Sequence, residues 1–203
     1  IMECLLPFVT AQPELRDHKT SLKVIVSETH TLIQQLRKGE LDVVIAFNVL
    51  DEQDILIPKK REYDIGLITA AGQVLPQHNG ASPLSACADL PLCLPDSSLS
   101  IWPRLESEFT RMRVQPQVQM DTNSVKLICD YIKQGECVGF LTWLDVVHDL
   151  SQGSLAFHTL DNLRLRETLC LCTRHAIGED MPIMAILSRM FDALPPTGTL
   201  ICA

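Results

Sequence analysis

SETHTLIQQLRKGELDVVIAF, running from Ser27 to Phe47, is the stretch that decides the fold. The β-branched run Lys23-Val24-Ile25-Val26 leads into it and predicts a strand buried on both faces. Thr29 stands where a helix N-cap is wanted, ahead of Leu32, Ile33 and Leu36, which share one face at 3.6 periodicity. Gly39 closes that helix, and the polar turn Gly39-Glu40 feeds a second apolar strand over Val43 to Phe47. Strand, short loop, helix, strand is the order of a right-handed parallel crossover.

A second copy of the block follows. Asp121-Thr122-Asn123-Ser124-Val125 repeats the acid, threonine, polar, hydroxyl, aliphatic pattern of Glu28-Thr29-His30-Thr31-Leu32. Val125, Ile128, Cys129 and Ile132 share a helix face, Gly135-Glu136 matches Gly39-Glu40, and Cys137 to Leu141 is the matching strand. The copies are offset by 93 residues at the threonines and by 96 at the glycines, which predicts a second helix longer by nearly one turn. Two similar α/β lobes are therefore expected.

A chain of 203 residues that is 46% hydrophobic can bury a full core, as one large domain or two small ones. A net charge of −8 argues against this segment holding a phosphate backbone. The uncharged tract from Ile65 to Ala88 is broken by Gln73, Gln77, His78 and Asn79, so it does not read as a membrane span. The eight cysteines include no Cys-x-x-Cys pair, and most sit in apolar runs. They read as reduced thiols acting as small hydrophobes in a cytoplasmic protein, with neither metal nor cofactor. The opening Ile1-Met2-Glu3-Cys4-Leu5-Leu6-Pro7-Phe8-Val9 carries no basic leader and reads as an amphipathic helix without a preceding cap, which predicts further residues upstream.

Taken in order, helices are expected at Met2 to Thr10, Leu84 to Ala88, Pro103 to Met112, Thr142 to Leu150 and Met181 to Leu194, besides the repeated pair. Strands are expected at Leu22 to Ser27, Asp54 to Ile57, Tyr63 to Ala70, Leu92 to Leu94, Gln115 to Met120, an edge strand at Gly153 to Phe157, and Leu163 to Thr173. The Gly- and Pro-containing stretch from Ala71 to Ser85 reads as a loop crossing to the other lobe. Asp42, Asp121, Glu136 and the histidines offer acid and base groups, but no nucleophile motif, phosphate loop or metal signature ties them together, and the chain does not read as an enzyme.

Leu36-Arg37-Lys38-Gly39-Glu40-Leu41-Asp42-Val43-Val44-Ile45 resembles the Leu-x-x-Gly-Glu-Leu-Asp-hydrophobic-Ala-Ile signature of effector-binding domains of LysR-type transcriptional regulators. Leu5-Leu6-Pro7 resembles that family's first helix, Tyr131 to Leu141 its Val-x-x-Gly-x-Gly-Ile stretch, and Gly153-Ser154-Leu155 its Gly-x-Leu. Cys137 replaces the usual second glycine, and Thr142 stands where a proline is common.

The resemblance implies two Rossmann-like lobes joined by two crossover strands, like a periplasmic type 2 binding protein. Lobe I would be residues 1–70 plus 164–203 and lobe II residues 71–163, with the family's N-terminal DNA-binding helix-turn-helix outside this chain. It implies a small-molecule effector held between the lobes, a homodimer or tetramer, and DNA contact only through that N-terminal domain. The helices Met2 to Thr10 and Arg104 to Met112 are the expected dimer surfaces. Open α/β sheets bind ligands beyond the carboxyl ends of strands, where helix N-termini offer free amides. Glu28, Thr29 and His30 mark that edge in one lobe; Ser97, Ser98, Ser100, Thr122 and Asn123 mark it in the other. Trp102 resembles an apolar residue lining the cleft, and Thr142 is counted with the contacts. These hydroxyls suit a small polar or acidic metabolite. A type 2 solute-binding protein of a transport system is the other reading, and the residues before Ile1 discriminate between the two.

Overall fold

The structure, a computed structural model, describes residues 22–73, 75, 84, 87, 89–160, 165–174 and 182–200. The helices expected at Met2 to Thr10 and, for most of its length, at Leu84 to Ala88 lie outside the described residues, as does most of the Ala71 to Ser85 loop. Two compact units divide the chain: Ile1–Glu62 with Thr168–Pro195, and Tyr63–Glu167 with Pro196–Ala203. The divisions between them fall within strand β2 (Ile55–Ala70) and at the start of strand β7 (Arg166–Arg174).

In the first unit, α1 (Thr29–Lys38) is built as its periodicity demands. Leu32, Ile33 and Leu36 are buried, and Gly39 ends the helix in the left-handed region at φ 76°, its N–H closing on Gln35 and Leu36 carbonyls. Strand β1 (Val43–Phe47) pairs antiparallel with β7, from Val43 opposite Thr173 to Phe47 opposite Leu169. Leu32, Ile33, Leu36, Val44, Ala46, Ile55, Cys170 and Cys172 make one core cluster. The final helix, α5 (Pro182–Ala193), belongs to the same unit.

Two expectations fail here. Leu22 to Glu28 is extended but is not a strand, and Val24 and Val26 are 50% and 74% exposed; only Ile25 packs against the core. A β-branched run prefers a pleated, buried surface, but the preference does not supply a partner strand. The two strands expected at 54–57 and 63–70 are one strand of 16 residues. The charged interval between them does not break it because each charge has a tertiary partner. Lys59 meets Asp192 at 2.5 Å, Lys60 meets Asp51 at 2.7 Å, and the Arg61 guanidinium donates to the Leu194 carbonyl at the end of α5.

The second unit holds a parallel ladder of β4 (Gln117–Thr122), β3 (Pro91–Pro95) and β5 (Val138–Thr142), with Pro95 opposite Thr122 and Leu92 opposite Val138. Strand β2 pairs antiparallel with β5 and with β6 (Leu155–Thr159). Helices α2 (Trp102–Met112), α3 (Val125–Ile132) and α4 (Trp143–Ser151) complete the unit. Leu92, Leu94, Leu105, Phe109, Phe140 and Leu165 share one core cluster; Cys93, Ile128, Ile132, Leu141 and Val146 share another. The repeated block holds in outline, but α3 spans 8 residues, fewer than the 10 of α1. The extra sequence before Gly135 goes into turns rather than another helical turn.

Candidate functional site

Parallel strands bring their carboxyl ends to one edge, and three of them do so in the second unit. The residues that follow β3 and β4 and the last residue of β5 supply most of the hydroxyls that the sequence singled out.

After β3 the chain turns through Asp96-Ser97-Ser98-Leu99-Ser100. Asp96 N–H donates to the Thr122 carbonyl at 3.1 Å, tying this loop to the end of β4. The Asp96 carboxylate accepts from both the Ser98 N–H at 2.8 Å and the Ser98 hydroxyl at 2.7 Å, which is a local Asx turn. Ser98 therefore has its hydroxyl proton committed, and only its oxygen lone pairs remain for a ligand. Ser97 is exposed. Ser100 donates to the Glu167 carboxylate at 2.6 Å, and Glu167 is 2% exposed, so a buried acid on β7 meets this loop.

Beyond β4, the Thr122 hydroxyl accepts from Ser124 N–H at 3.2 Å, and Ser124, rather than Thr122, caps α3 by accepting from Leu127 N–H at 3.3 Å. Asn123 is exposed between them. At the end of β5, Thr142 is fully buried. Its hydroxyl donates to the Asp145 carboxylate at 2.6 Å and accepts from Asp145 N–H, closing a capping box on α4. Thr142 belongs to the edge but serves the helix, and its burial leaves no face for a ligand.

In the first unit, Glu28 is the N-cap of α1 and makes no side-chain cap bond, so the sequence assignment of Thr29 to that position moves by one residue. Thr29 is the first helical residue, half-buried, with its hydroxyl 3.5 Å from the Phe47 carbonyl. Glu28 and His30 are exposed, and the His30 ring lies 3.1 Å from the Gln34 amide. Trp102 is not drawn into the strand-end group by any hydrogen bond. It is half-buried against the core and lines a cavity with the far end of α2.

The sequence reading missed Asp96, Ser124, Asp145 and Glu167. Asp-x-Ser and Thr-x-x-Asp are readable signals of a turn and a capping box, and they name Asp96 and Asp145; Ser124 is an N-cap hydroxyl directly ahead of an apolar helical stripe. Glu167 sits inside an apolar strand with no local signal.

Among the described residues no group of three or more His, Cys, Asp or Glu could hold a metal ion. The free cysteines 87, 93, 129, 137, 170 and 172 are all buried. Burial pushes the thiols of Cys87, Cys93 and Cys172 up to about 12, so they pack as neutral hydrophobes rather than as nucleophiles. No described helix is long and apolar enough to cross a membrane.

The sequence matches the LysR substrate binding domain family over residues 1–183. No curated protein sequence matches the chain. Among solved structures, the reduced form of OxyR from N. meningitidis superposes with a TM-score of 0.73 at 15% identity, covering 100% of this chain and 95% of that one. The regulatory domain of CcmR from Synechocystis PCC6803, in complex with 2-PG, gives 0.73 at 13% identity, covering 97% and 94%. The effector-binding domain of QuiR in complex with shikimate gives 0.65 at 14%, covering 93% and 86%. The fold is that of type 2 periplasmic binding proteins, and the chain belongs to the LysR substrate-binding domains, the effector-binding part of a family of transcriptional regulators.

Proposed function

We propose that this chain senses a small polar or acidic metabolite and carries out no catalysis of its own. Its two units are the lobes of the sensor, each offering polar groups at strand ends: Ser97, Thr122 and Asn123 with the oxygen lone pairs of Ser98 and Ser100 from the second, Thr29 and the first-turn amides of α1 from the first. The observation that carries this reading is the carboxyl edge of the parallel β4-β3-β5 ladder, where hydroxyls and amides collect as they do at ligand sites of open α/β sheets. Glu28 and His30, both exposed, set the charge that a ligand meets on the first unit's side. Trp102 stays as an apolar wall rather than a hydrogen-bonding contact, and Thr142 is spent on its capping box. In the whole regulator, DNA is contacted by an N-terminal domain, the protein is cytoplasmic, and it assembles as a dimer or tetramer.

A thermal-shift screen of small hydroxylated and carboxylic metabolites finds the ligand, because a molecule that binds only the folded form raises the melting temperature by mass action. Calorimetric titration of Thr29→Val and Asn123→Ala then tests the contacts. Each variant is expected to lose about tenfold in affinity, the loss of one hydrogen bond to a charged or polar group, with an unchanged unliganded melting curve. Ser98→Ala lowers the melting temperature instead, since the Asp96 turn loses a bond. Parent-like affinity in both Thr29→Val and Asn123→Ala removes the strand-end assignment.

A further inference from the structure

The ladder between β2 and β5 ends at the rung Ile65–Thr142, and Asp64 and Trp143 are the next residues outward along the two chains. That end of β5 is its carboxyl end, so Trp143 stands at the same edge as the residues that follow β3 and β4. Its ring meets Phe157 of β6 edge-on at 5.0 Å between centroids. The side chain is half-buried, and its one polar atom is a donor.

That donor is taken by the tail of the chain. Trp143 Nε1–H donates to the Thr199 carbonyl at 3.3 Å, and the Asp64 N–H donates to the Thr197 hydroxyl at 3.2 Å. Asp64, Trp143 and residues 196–200 all belong to the second unit. The tail reaches them through a tight turn: Thr199 N–H closes on the Pro196 carbonyl at 3.1 Å, with Gly198 at φ 88° in the third position, as a type II turn requires.

No side chain of residues 196–200 is buried, and Leu200 is 52% exposed, so the segment has no apolar anchor of its own. Neutral hydrogen bonds near solvent contribute modestly, and a segment held by two of them opens more readily than the core beneath it.

We propose that residues 196–200 are an intrasteric strap: the Thr199 carbonyl occupies the Trp143 indole donor, and a carboxylate ligand takes that donor by displacing the tail. The proposal rests on the strand-end reading and adds to it a donor offered only when the strap lifts. A carboxylate competes well, because an ionised acceptor takes an N–H more strongly than a peptide carbonyl does. The strap thereby sets the affinity, since only the fraction of molecules with the tail lifted accepts the ligand.

Isotopic nitrogen labelling of the two tryptophans gives two indole signals, and the one lost in Trp143→Phe belongs to Trp143. Its proton should exchange with solvent many-fold faster than the β5 amides, at a rate indifferent to low urea, as local lifting of the tail requires. Gly198→Ala is strained at that positive φ and should speed the exchange about fivefold. D-Gluconate, a hydroxylated monocarboxylate, is the binding probe. By calorimetry it should bind about three- to tenfold more tightly to a chain ending at Pro195, and more tightly by a smaller factor to Gly198→Ala. Trp143→Phe, which keeps a ring against Phe157, should weaken gluconate about five- to tenfold in the shortened chain.

An indole proton that exchanges only on global unfolding overturns the strap, as does equal or weaker gluconate binding when both tail changes are made. Parent-like affinity in Trp143→Phe overturns the donor assignment and the proposal with it. If Asn123→Ala weakens gluconate while neither tail change alters it, the strand-end reading stands and the strap falls. Gluconate that binds neither the full nor the shortened chain removes the strand-end reading, and the strap with it.

Discussion

Replacing Asp149 by asparagine tests whether α3 and α4 are locked together by charge. Lys133, at the C-cap of α3, places its ammonium 2.5 Å from the Asp149 carboxylate of α4; the side chains are 30% and 8% exposed. The carboxylate also accepts from the Ser154 hydroxyl at 3.2 Å. Breaking a fully buried pair costs about 3–5 kcal/mol, because the surviving charge is stranded. Here the survivor is Lys133, which keeps water over part of its surface and a second carboxylate, Asp130, at 3.4 Å. The expected cost of Asp149→Asn is therefore about 1.5–2.5 kcal/mol, roughly half the buried figure. Urea unfolding followed by the fluorescence of Trp143, at the first position of α4 and the sole tryptophan in a Trp102→Phe background, reads that element directly. A cycle with Lys133→Met should give a coupling of about 1–2 kcal/mol, and additivity within about 0.5 kcal/mol would refute the lock. The pH dependence supplies a second reading. Burial pulls the Lys133 ammonium down, but the hydrogen bond and charge of Asp149, joined by Asp130, outweigh it and hold the group above its ordinary 10.5. The native state thus holds this proton more tightly than the unfolded chain. The resulting stability is complete below pH 10.5 and drains away as pH rises through the higher native value. Asp149→Asn should flatten that alkaline limb; an unchanged limb would assign it to another group.

Gly139→Ala should destabilise by about 1–3 kcal/mol, since a Cβ there would stand 2.6 Å from the Cys93 carbonyl oxygen and 2.9 Å from Ile132 Cδ1, and backbone cannot swing aside; calorimetry showing a parent-like melting temperature would contradict it. Burial holds the His158 ring below its ordinary 6.5, with Thr69 Oγ1 at 3.0 Å, so the native state loses stability as pH falls from 6.5 toward the lower native value. His158→Gln keeps a polar group for Thr69 and should flatten that acid limb in urea midpoints taken between about pH 7.5 and 5; equal slopes in both proteins would exclude His158 as the source.

The parts of the fold that could be read were those encoded by local periodicity. Leu32, Ile33 and Leu36 lie three and four apart, Gly39 supplies the left-handed conformation that ends their helix, and α1 follows from those four residues with its C-terminal boundary. The repeated block identified the strand β5 and the helix before it for the same reason. What local pattern could not supply was the partner. Val24 and Val26 look like residues of a buried strand, yet they are exposed because burial needs a neighbour that no property of the run itself specifies. The reverse holds at Pro58-Lys59-Lys60-Arg61, where the sequence reads as a break and the chain continues as strand. Lys59 finds Asp192 and Arg61 finds the end of α5, both more than a hundred residues away in sequence, and a charge whose counter-charge is that distant looks solvated when read in isolation.

The candidate site divides along the same line, with the sign reversed. A hydroxyl at a strand end was read as a free donor, but those nearest a local acceptor are consumed by it. Ser98 is spent on Asp96, and Thr142 on Asp145, at separations of two and three residues. Short-range patterns should therefore have been used to subtract candidates as well as to find helices. The contact that most changes the chemistry of this edge, Ser100 to Glu167, spans 67 residues and joins a loop to a strand with no shared motif. Ser100 therefore has its hydroxyl proton committed to a carboxylate that is 2% exposed, and a ligand reaching that loop meets the Ser100 lone pairs rather than a free donor. The donors left at this edge are the exposed Ser97 and Asn123, so a ligand there is held by its acceptor groups, as a hydroxylated or carboxylic metabolite would be.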